Sequence, residues 1–157
     1  MATFKTPGVY VQEITKFPPS VAPVATAIPA FIGYTEKATK LAAGDLDMVP
    51  TRITSMVEYE AYFGNADLEQ NITAELTTGN NVIIENSSPS VYKMYYSMQM
   101  YFANGGGPCY VTSIGDYSSG TISKADLDEG LGEVRKKDEP TLLLFPDATS
   151  MTDVDEY

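Results

Sequence analysis

Histidine and tryptophan are absent from the 157 residues, cysteine occurs once, and lysine plus arginine total 10 against 21 aspartates and glutamates. Each shortage excludes something. Without histidine, neither a Ser-His-Asp nor a Cys-His arrangement can be assembled from this chain, and zinc sites that need imidazole are ruled out as well. The single Cys109 cannot form an intrachain disulfide, and its place in a predicted strand marks a packed thiol that fits a reducing compartment. The formal net charge is -11, and the one basic cluster, Arg135 to Lys137, sits between Glu133 and Asp138. That balance argues against nucleic acid or an anionic membrane as the main partner. No run reaches the roughly eighteen apolar residues of a membrane span, and residues 1–17 lack the apolar core of a secretory leader. Assembly in the cytoplasm without membrane insertion is expected. Carboxylate chemistry survives these exclusions, because 21 acidic residues leave a glycosidase-like pair open.

What is present begins with 43% hydrophobic residues, enough for one domain with a real core. The chain is organised around residues 101–115, which join an amphipathic helix to a strand through Gly105, Gly106 and Gly107. Upstream, Val91, Met94, Tyr95, Met98, Tyr101 and Phe102 fall on one helical face. Ser88 before Pro89 is a start signal, so the spacing predicts a helix over 89–103. Asn104 and Gly105 can take the left-handed conformation that ends it, and Pro108 forbids its resumption. A strand over 109–114 follows. The glycines do not form a phosphate cradle: they follow a helix C-terminus, whose carbonyls repel anions, and no Gly-Lys-Ser/Thr occurs.

Residues 1–29 hold five of the ten prolines, Pro7, Pro18, Pro19, Pro23 and Pro29. Between the first two lies a β-rich stretch, Val9, Tyr10, Val11, Gln12, Glu13 and Ile14, launched by the Pro7-Gly8 turn. Phe17 to Ala27 is too proline-rich for a helix and too apolar for a solvated linker, so it must lie against something, in its own domain or a neighbouring copy. Strands are expected at 30–34, with Gly33 allowing close approach of another element, and at the edge over 49–53, where Pro50 cannot donate. Thr35 to Met48 reads as a loop turning at Gly44-Asp45. Ser55 with Glu58 is a capping box opening a helix over 55–63, and Ser123 with Asp126 caps another over 123–134, weakened by Gly130 and Gly132. Residues 65–80 are polar and ambiguous, and 82–85 is a short strand. Thr141 to Phe145 is apolar on both faces, as in a central strand covered on each side. Met151 to Tyr157 reads as the opening of another helix.

The fold class that results is α/β: a mixed sheet flanked by helices, with an extended N-terminal arm, 1–29, carrying a donatable strand ahead of a core over 30–157. Three acidic clusters fail the calcium-loop test. Asp126 and Asp128 are followed by Gly130 at position 5 and Lys137 at position 12, Asp45 and Asp47 run into Val49-Pro50, and Asp153 and Asp155 meet the end of the sequence. No catalytic, cofactor or metal site is assigned. Asp147 stands where α/β folds place ligand-binding groups, at the carboxyl end of a strand, but aspartate after proline is ordinary turn and capping chemistry.

Five segments, in order across nearly the whole chain, carry a likeness: Thr6 to Ile14, Ala30 to Gly33, Thr54 to Gly64, Tyr101 to Val111 and Leu142 to Asp147. The sequence resembles the tail sheath proteins of contractile phage tails and bacterial contractile injection systems. The resemblance implies a structural subunit, not an enzyme, that polymerises helically with copies of itself around an inner tube and contracts to drive that tube through a target envelope. It implies further partners in sister sheath proteins, the inner tube protein, and baseplate and terminator or cap proteins, within a phage tail or tail-like particle. The donated strand would be Val9 to Ile14, and the tether would begin at Phe17. Sheath proteins continue well past the strand equivalent to 142–145, so an incomplete C-terminal end is expected. From the residues alone, a small carboxylate-dependent hydrolase and a monomeric α/β binding module stay open.

Overall fold

A computed structural model describes residues 27–79 and 81–151. The proposed donor strand and the tether up to Thr26, like Asp153 and Asp155, lie outside the described residues. At the centre is a four-stranded sheet made of β1 (Pro29–Gly33), β2 (Thr51–Ile53), β5 (Cys109–Ser113) and β6 (Leu142–Leu144), in the order β2-β5-β1-β6. β1 runs parallel to both neighbours, with Phe31 opposite Val111 and Leu144, while β2 is antiparallel to β5. The sheet is therefore mixed, as expected.

Strand alternation divides the core between its two faces. Phe31, Cys109, Val111 and Ile53 point to one side, where α1 (Met56–Phe63) and α2 (Met94–Ala103) supply Tyr59, Phe63, Met94 and Met98. Ala30, Ile32, Tyr110 and Ile114 point to the other, against Leu127 and Val134 of α3 (Lys124–Val134). Gly130 makes the second contact possible: a Cβ there would meet Ile114 Cγ2 at 2.5 Å and Ile32 Cγ2 at 2.8 Å. The glycine that the helix propensity scale penalises lets α3 lie close to the sheet.

Local signals set two of the three helices. Ser55 Oγ accepts the Glu58 N–H at 3.3 Å, and the Glu58 carboxylate returns to the Thr54 N–H and hydroxyl, each at 2.7 Å, one residue earlier than in the standard box. Ser123 caps α3 in the same manner by accepting the Asp126 N–H. Helix α2 departs from expectation, beginning at Met94 rather than at Pro89. The residues just before it are held in a local turn and tied to other parts of the chain: the Ser90 hydroxyl donates to Asp67 and accepts the Tyr92 N–H, and the Ser90 N–H donates to Glu69. The helix ends as expected at Gly105, φ 81°, whereas Asn104 stays at φ -91°.

Two further corrections concern strands. The polar stretch before residue 80 contains β3 (Ile72–Leu76), which pairs antiparallel with β4 (Val82–Asn86) as a separate two-stranded hairpin. And β6 is an edge strand, not a central one. Its three leucines are 52%, 51% and 39% exposed, and no strand among the described residues pairs with its outer side. An apolar run seen in sequence gives the same signal whether both faces are covered or await cover.

Candidate functional site

The carboxyl ends of β1 and β6 converge on Asp147, which follows Pro146 in a short 3-10 turn over Pro146–Ser150. Its carboxylate is fully buried. One oxygen accepts the Lys93 N–H at 2.6 Å and the Met94 N–H at 3.1 Å; the other accepts the Tyr34 N–H at 2.8 Å. Asp147 thus caps α2 from 54 residues away and ties it to the end of β1. Burial pushes its carboxyl above the usual carboxylate range, and the N–H groups of Lys93, Tyr34 and Met94 pull it part of the way back. Gly33 is what admits it, since a Cβ on Gly33 would collide with Asp147 Oδ2. With both oxygens occupied by main-chain donors and no solvent path, Asp147 serves as a structural clasp rather than an acid or base.

A belt of tyrosines surrounds this clasp. Tyr34 donates its hydroxyl to Asp126 at 2.7 Å and accepts the Ser123 N–H at 3.1 Å, joining the end of β1 to the first turn of α3. Burial, then the Asp126 bond, pushes its phenol up to about 12. Tyr92 stacks between Tyr34 and Tyr117 at centroid distances of 5.4 and 4.7 Å, and burial raises the Tyr117 phenol further. These three tyrosines pack and bridge from outside the α-helices, whereas Tyr95 and Tyr101, on the apolar face of α2, pack against the core beside Phe31 and Tyr59. Cys109 is buried in β5, and desolvation pushes its thiol up to about 12, which matches the packed-thiol reading.

The acidic cluster at Asp45 resolves into turn chemistry. Asp45 accepts the N–H groups of Lys40, Leu41 and Ala42, at 2.7, 2.8 and 3.1 Å, and these bonds hold its carboxyl below the usual range. Among the described residues, no group of three or more carboxylates and cysteines is placed to hold a metal ion. Nor is any helix among them long and apolar enough to cross a membrane.

Among the described residues, apolar surface stays open in three places. The outer side of β6 is one. Beside it, α2 and β6 enclose a groove of 760 Å³ floored by Phe31 and Tyr101 and walled by Tyr96, Met100 and Leu144. The third is the β3–β4 hairpin, whose Ile72, Leu76, Val82 and Ile84 are 56 to 71% exposed. Sequence reading missed both the groove and the hairpin face. The alternation Ile72, Ala74, Leu76 ahead of the Thr78-Gly79 turn was the signal that could have found the latter.

Solved chains that resemble this one include two from the anti-feeding prophage. A chain of the anti-feeding prophage helical sheath in its contracted state is 26% identical, with a TM-score of 0.46, over 91% of this chain and 32% of its own length. A chain of the anti-feeding prophage baseplate is 27% identical, again with a TM-score of 0.46, over 94% of this chain and 35% of its own. This chain therefore spans about a third of the length of each. No family model matches the sequence, and no curated protein does.

Proposed function

We propose that the chain is a structural component of a contractile injection machine, and specifically part of a sheath subunit that polymerises around an inner tube. The observation that carries this is the open edge at β6: three consecutive leucines, each 39 to 52% exposed, on a strand whose outer N–H and C=O groups have no strand partner among the described residues. Unpaired edges of this kind are sites of strand addition, and a protein that leaves one apolar is built to be completed by a partner. The five sequence segments that resemble sheath proteins supply the identity of the machine.

The arm fits the same reading. Ile28 lies beside the start of β6, its N–H donating to Thr141 Oγ1 at 3.1 Å and its carbonyl accepting the Thr141 N–H at 2.9 Å. A strand at 9–14 pairing with its own β6 would need a connection of only a few residues. The intervening Phe17 to Ala27 would, if extended, span roughly 34 Å at about 3.1 Å per residue. That reach suits a neighbouring protomer, with Val9, Tyr10, Val11, Gln12, Glu13 and Ile14 as donor strand and Phe17 at the head of the tether. The partners of this role are further copies, sister sheath proteins, an inner tube, and baseplate and terminator or cap proteins, assembled in the cytoplasm into a phage tail-like particle. Electron microscopy of the wild-type chain and of a variant lacking residues 1–20 tests it. Tubes are expected from the first and a folded monomer from the second; tubes from both would remove the arm from the mechanism.

A further inference from the structure

The two sides of the open β6 edge differ in charge. Leu143 stands opposite Ala30 and so points to the α3 side of the sheet, whereas Leu144 stands opposite Phe31 and points to the α2 side. On the α3 side, Leu143 borders a hollow of about 260 Å³ walled by Leu131, Val134, Arg135 and Lys137, in and just after the last turn of α3. Both cations are exposed, and neither has an ion-pair partner among the described residues; Lys136 between them is taken up by Glu133 at 2.6 Å. Among the described residues no carboxylate lines the hollow. In a chain of net charge -11, two uncommitted cations beside an unpaired strand edge form a site for an acidic side chain.

A strand added beside β6 presents alternate residues to the two sides of the sheet. In the donor stretch Val9, Val11 and Glu13 share one face, Tyr10, Gln12 and Ile14 the other, and Glu13 is the one charged residue between Lys5 and Lys16. The two cations stand at the start of β6, where the chain runs from Lys137 through Pro140 and Thr141 into Leu142. An antiparallel donor with Glu13 at that end sets Val9 and Val11 along the apolar part of the hollow. A slip of one residue turns Glu13 to the other side, onto walls made of Phe31, Tyr96, Met100 and Leu144. The cation on that side, Lys93, lies at the far end of β6, beside Asp147, and donates to Thr149 at 3.1 Å. Parallel addition with Val11 beside Leu143 carries Glu13 away from Arg135 and Lys137 as well.

We infer that Arg135 and Lys137 of one copy bind the Glu13 carboxylate of a second copy's arm, and that this contact fixes the register and the antiparallel direction of strand addition at β6. This rests on the proposal that the arm is donated to that edge, and adds a specificity determinant to it. Main-chain pairing is indifferent to side chains, so six donor residues on a three-residue edge pair in several registers. One charge match selects among them, while the main-chain bonds carry most of the affinity.

Cross-linking and charge exchange on the full chain test it. Glu13→Cys with Lys137→Cys, oxidised by copper phenanthroline, is expected to give a ladder of linked copies on non-reducing gels. Gln12→Cys with Lys137→Cys, one residue away but on the opposite face, is expected to give none. The native Cys109 is buried and stays out of the reaction. Assembly is read by sedimentation and electron microscopy. Glu13→Lys alone, and Arg135→Glu with Lys137→Glu, are each expected to raise the critical concentration at least about tenfold. All three changes in one chain are expected to restore tubes. Arg135→Gln with Lys137→Gln replaces the reversed pair should that pair disturb the end of α3; its loss is expected to be smaller, and Glu13→Gln should add nothing to it. Provided wild type forms tubes, three results overturn the inference and leave the sheath proposal standing: a ladder from Gln12 in place of Glu13, charge variants that assemble like wild type, or no rescue in the combined chain. A link formed inside monomers puts the arm on its own sheet; that result, or a wild-type chain that forms no polymer at any concentration, overturns both.

Discussion

Replacing Asp147 by alanine is expected to be among the most damaging single substitutions in this fold. The change removes an acceptor for three main-chain donors, from Tyr34, Lys93 and Met94, at a position with no solvent exposure. A buried N–H left without a partner costs about 1 to 3 kcal/mol, and loss of a helix cap alone costs about 1 kcal/mol. Allowing for relaxation and an entering water, the sum is about 3 to 5 kcal/mol, a large share of a typical domain stability of about 5 to 15 kcal/mol. Asp147→Asn keeps one amide oxygen, which can serve either Tyr34 or the Lys93–Met94 pair, and turns an NH2 toward the donors left over, so about 2 kcal/mol is expected. Gly33→Ala strikes the same carboxylate from the strand side and should destabilise as well. Urea unfolding followed by far-UV circular dichroism measures all three. The pH dependence has a definite sign. Burial raises the folded-state value above the unfolded one, so the contribution linked to this carboxyl is fully present below the unfolded value, near pH 4, and declines as pH rises through the raised folded value. Asp147→Asn lacks that decline, and the gap between wild type and variant should narrow as pH increases over that window. An alanine variant within about 1 kcal/mol of wild type would refute the clasp.

The two glycines of α3 should part company. Gly130→Ala forces a Cβ onto Ile32 and Ile114 and is expected to cost about 1 to 3 kcal/mol despite the gain in helix propensity. Gly132→Ala meets nothing within 4 Å and should stabilise by up to about 1 kcal/mol; thermal unfolding of the pair reads both. Cys109 is buried with its thiol pushed up to about 12, so a chromogenic disulfide reagent at pH 8 should react only at the rate of unfolding; fast labelling of native protein would place the thiol at the surface. Ser55→Ala removes the α1 cap and is expected to cost about 1 kcal/mol in the same urea assay, with no effect on assembly.

The sequence exposes those parts of the fold whose causes are local. Ser55 and Ser123 announce α1 and α3 because a cap acts within one turn. The strands at β1 and β5 are legible because both faces of each are covered and most of their residues are apolar, Thr112 and Ser113 excepted. The start of α2 was not legible, because its cap is Asp147, and a carboxylate 54 residues downstream leaves no mark near Pro89. β6 was legible as a strand but not by position, since pairing partners are a property of topology. The hairpin strand β3 was hidden because its apolar half is three residues long and no described element covers it, so the alternation sits in a polar stretch. The donor residues Val9 to Ile14 were legible as a strand without a place, and the described structure adds only where their tether ends, at Ile28 beside Thr141.

The distribution of open surface follows from the order of the strands. β2 closes one edge of the sheet with a short strand whose central Arg52 is exposed and lies 3.6 Å from Glu139, a charged guard against pairing. Among the described residues the other edge has no such guard: Leu142, Leu143 and Leu144 stand at β6, with Leu144 also forming a wall of the α2 groove. A chain with two undefended edges would aggregate without direction, and one with two guarded edges would stay alone. One guarded and one open edge give association a polarity, and a net charge of -11 keeps unmatched encounters apart until main-chain pairing or apolar seating outweighs the repulsion. Raising ionic strength should therefore hasten assembly, because screening removes the barrier and leaves the apolar contacts intact. Turbidity growth that slows with added salt would instead assign the dominant attraction to ion pairs, and the leucine edge would lose its central role.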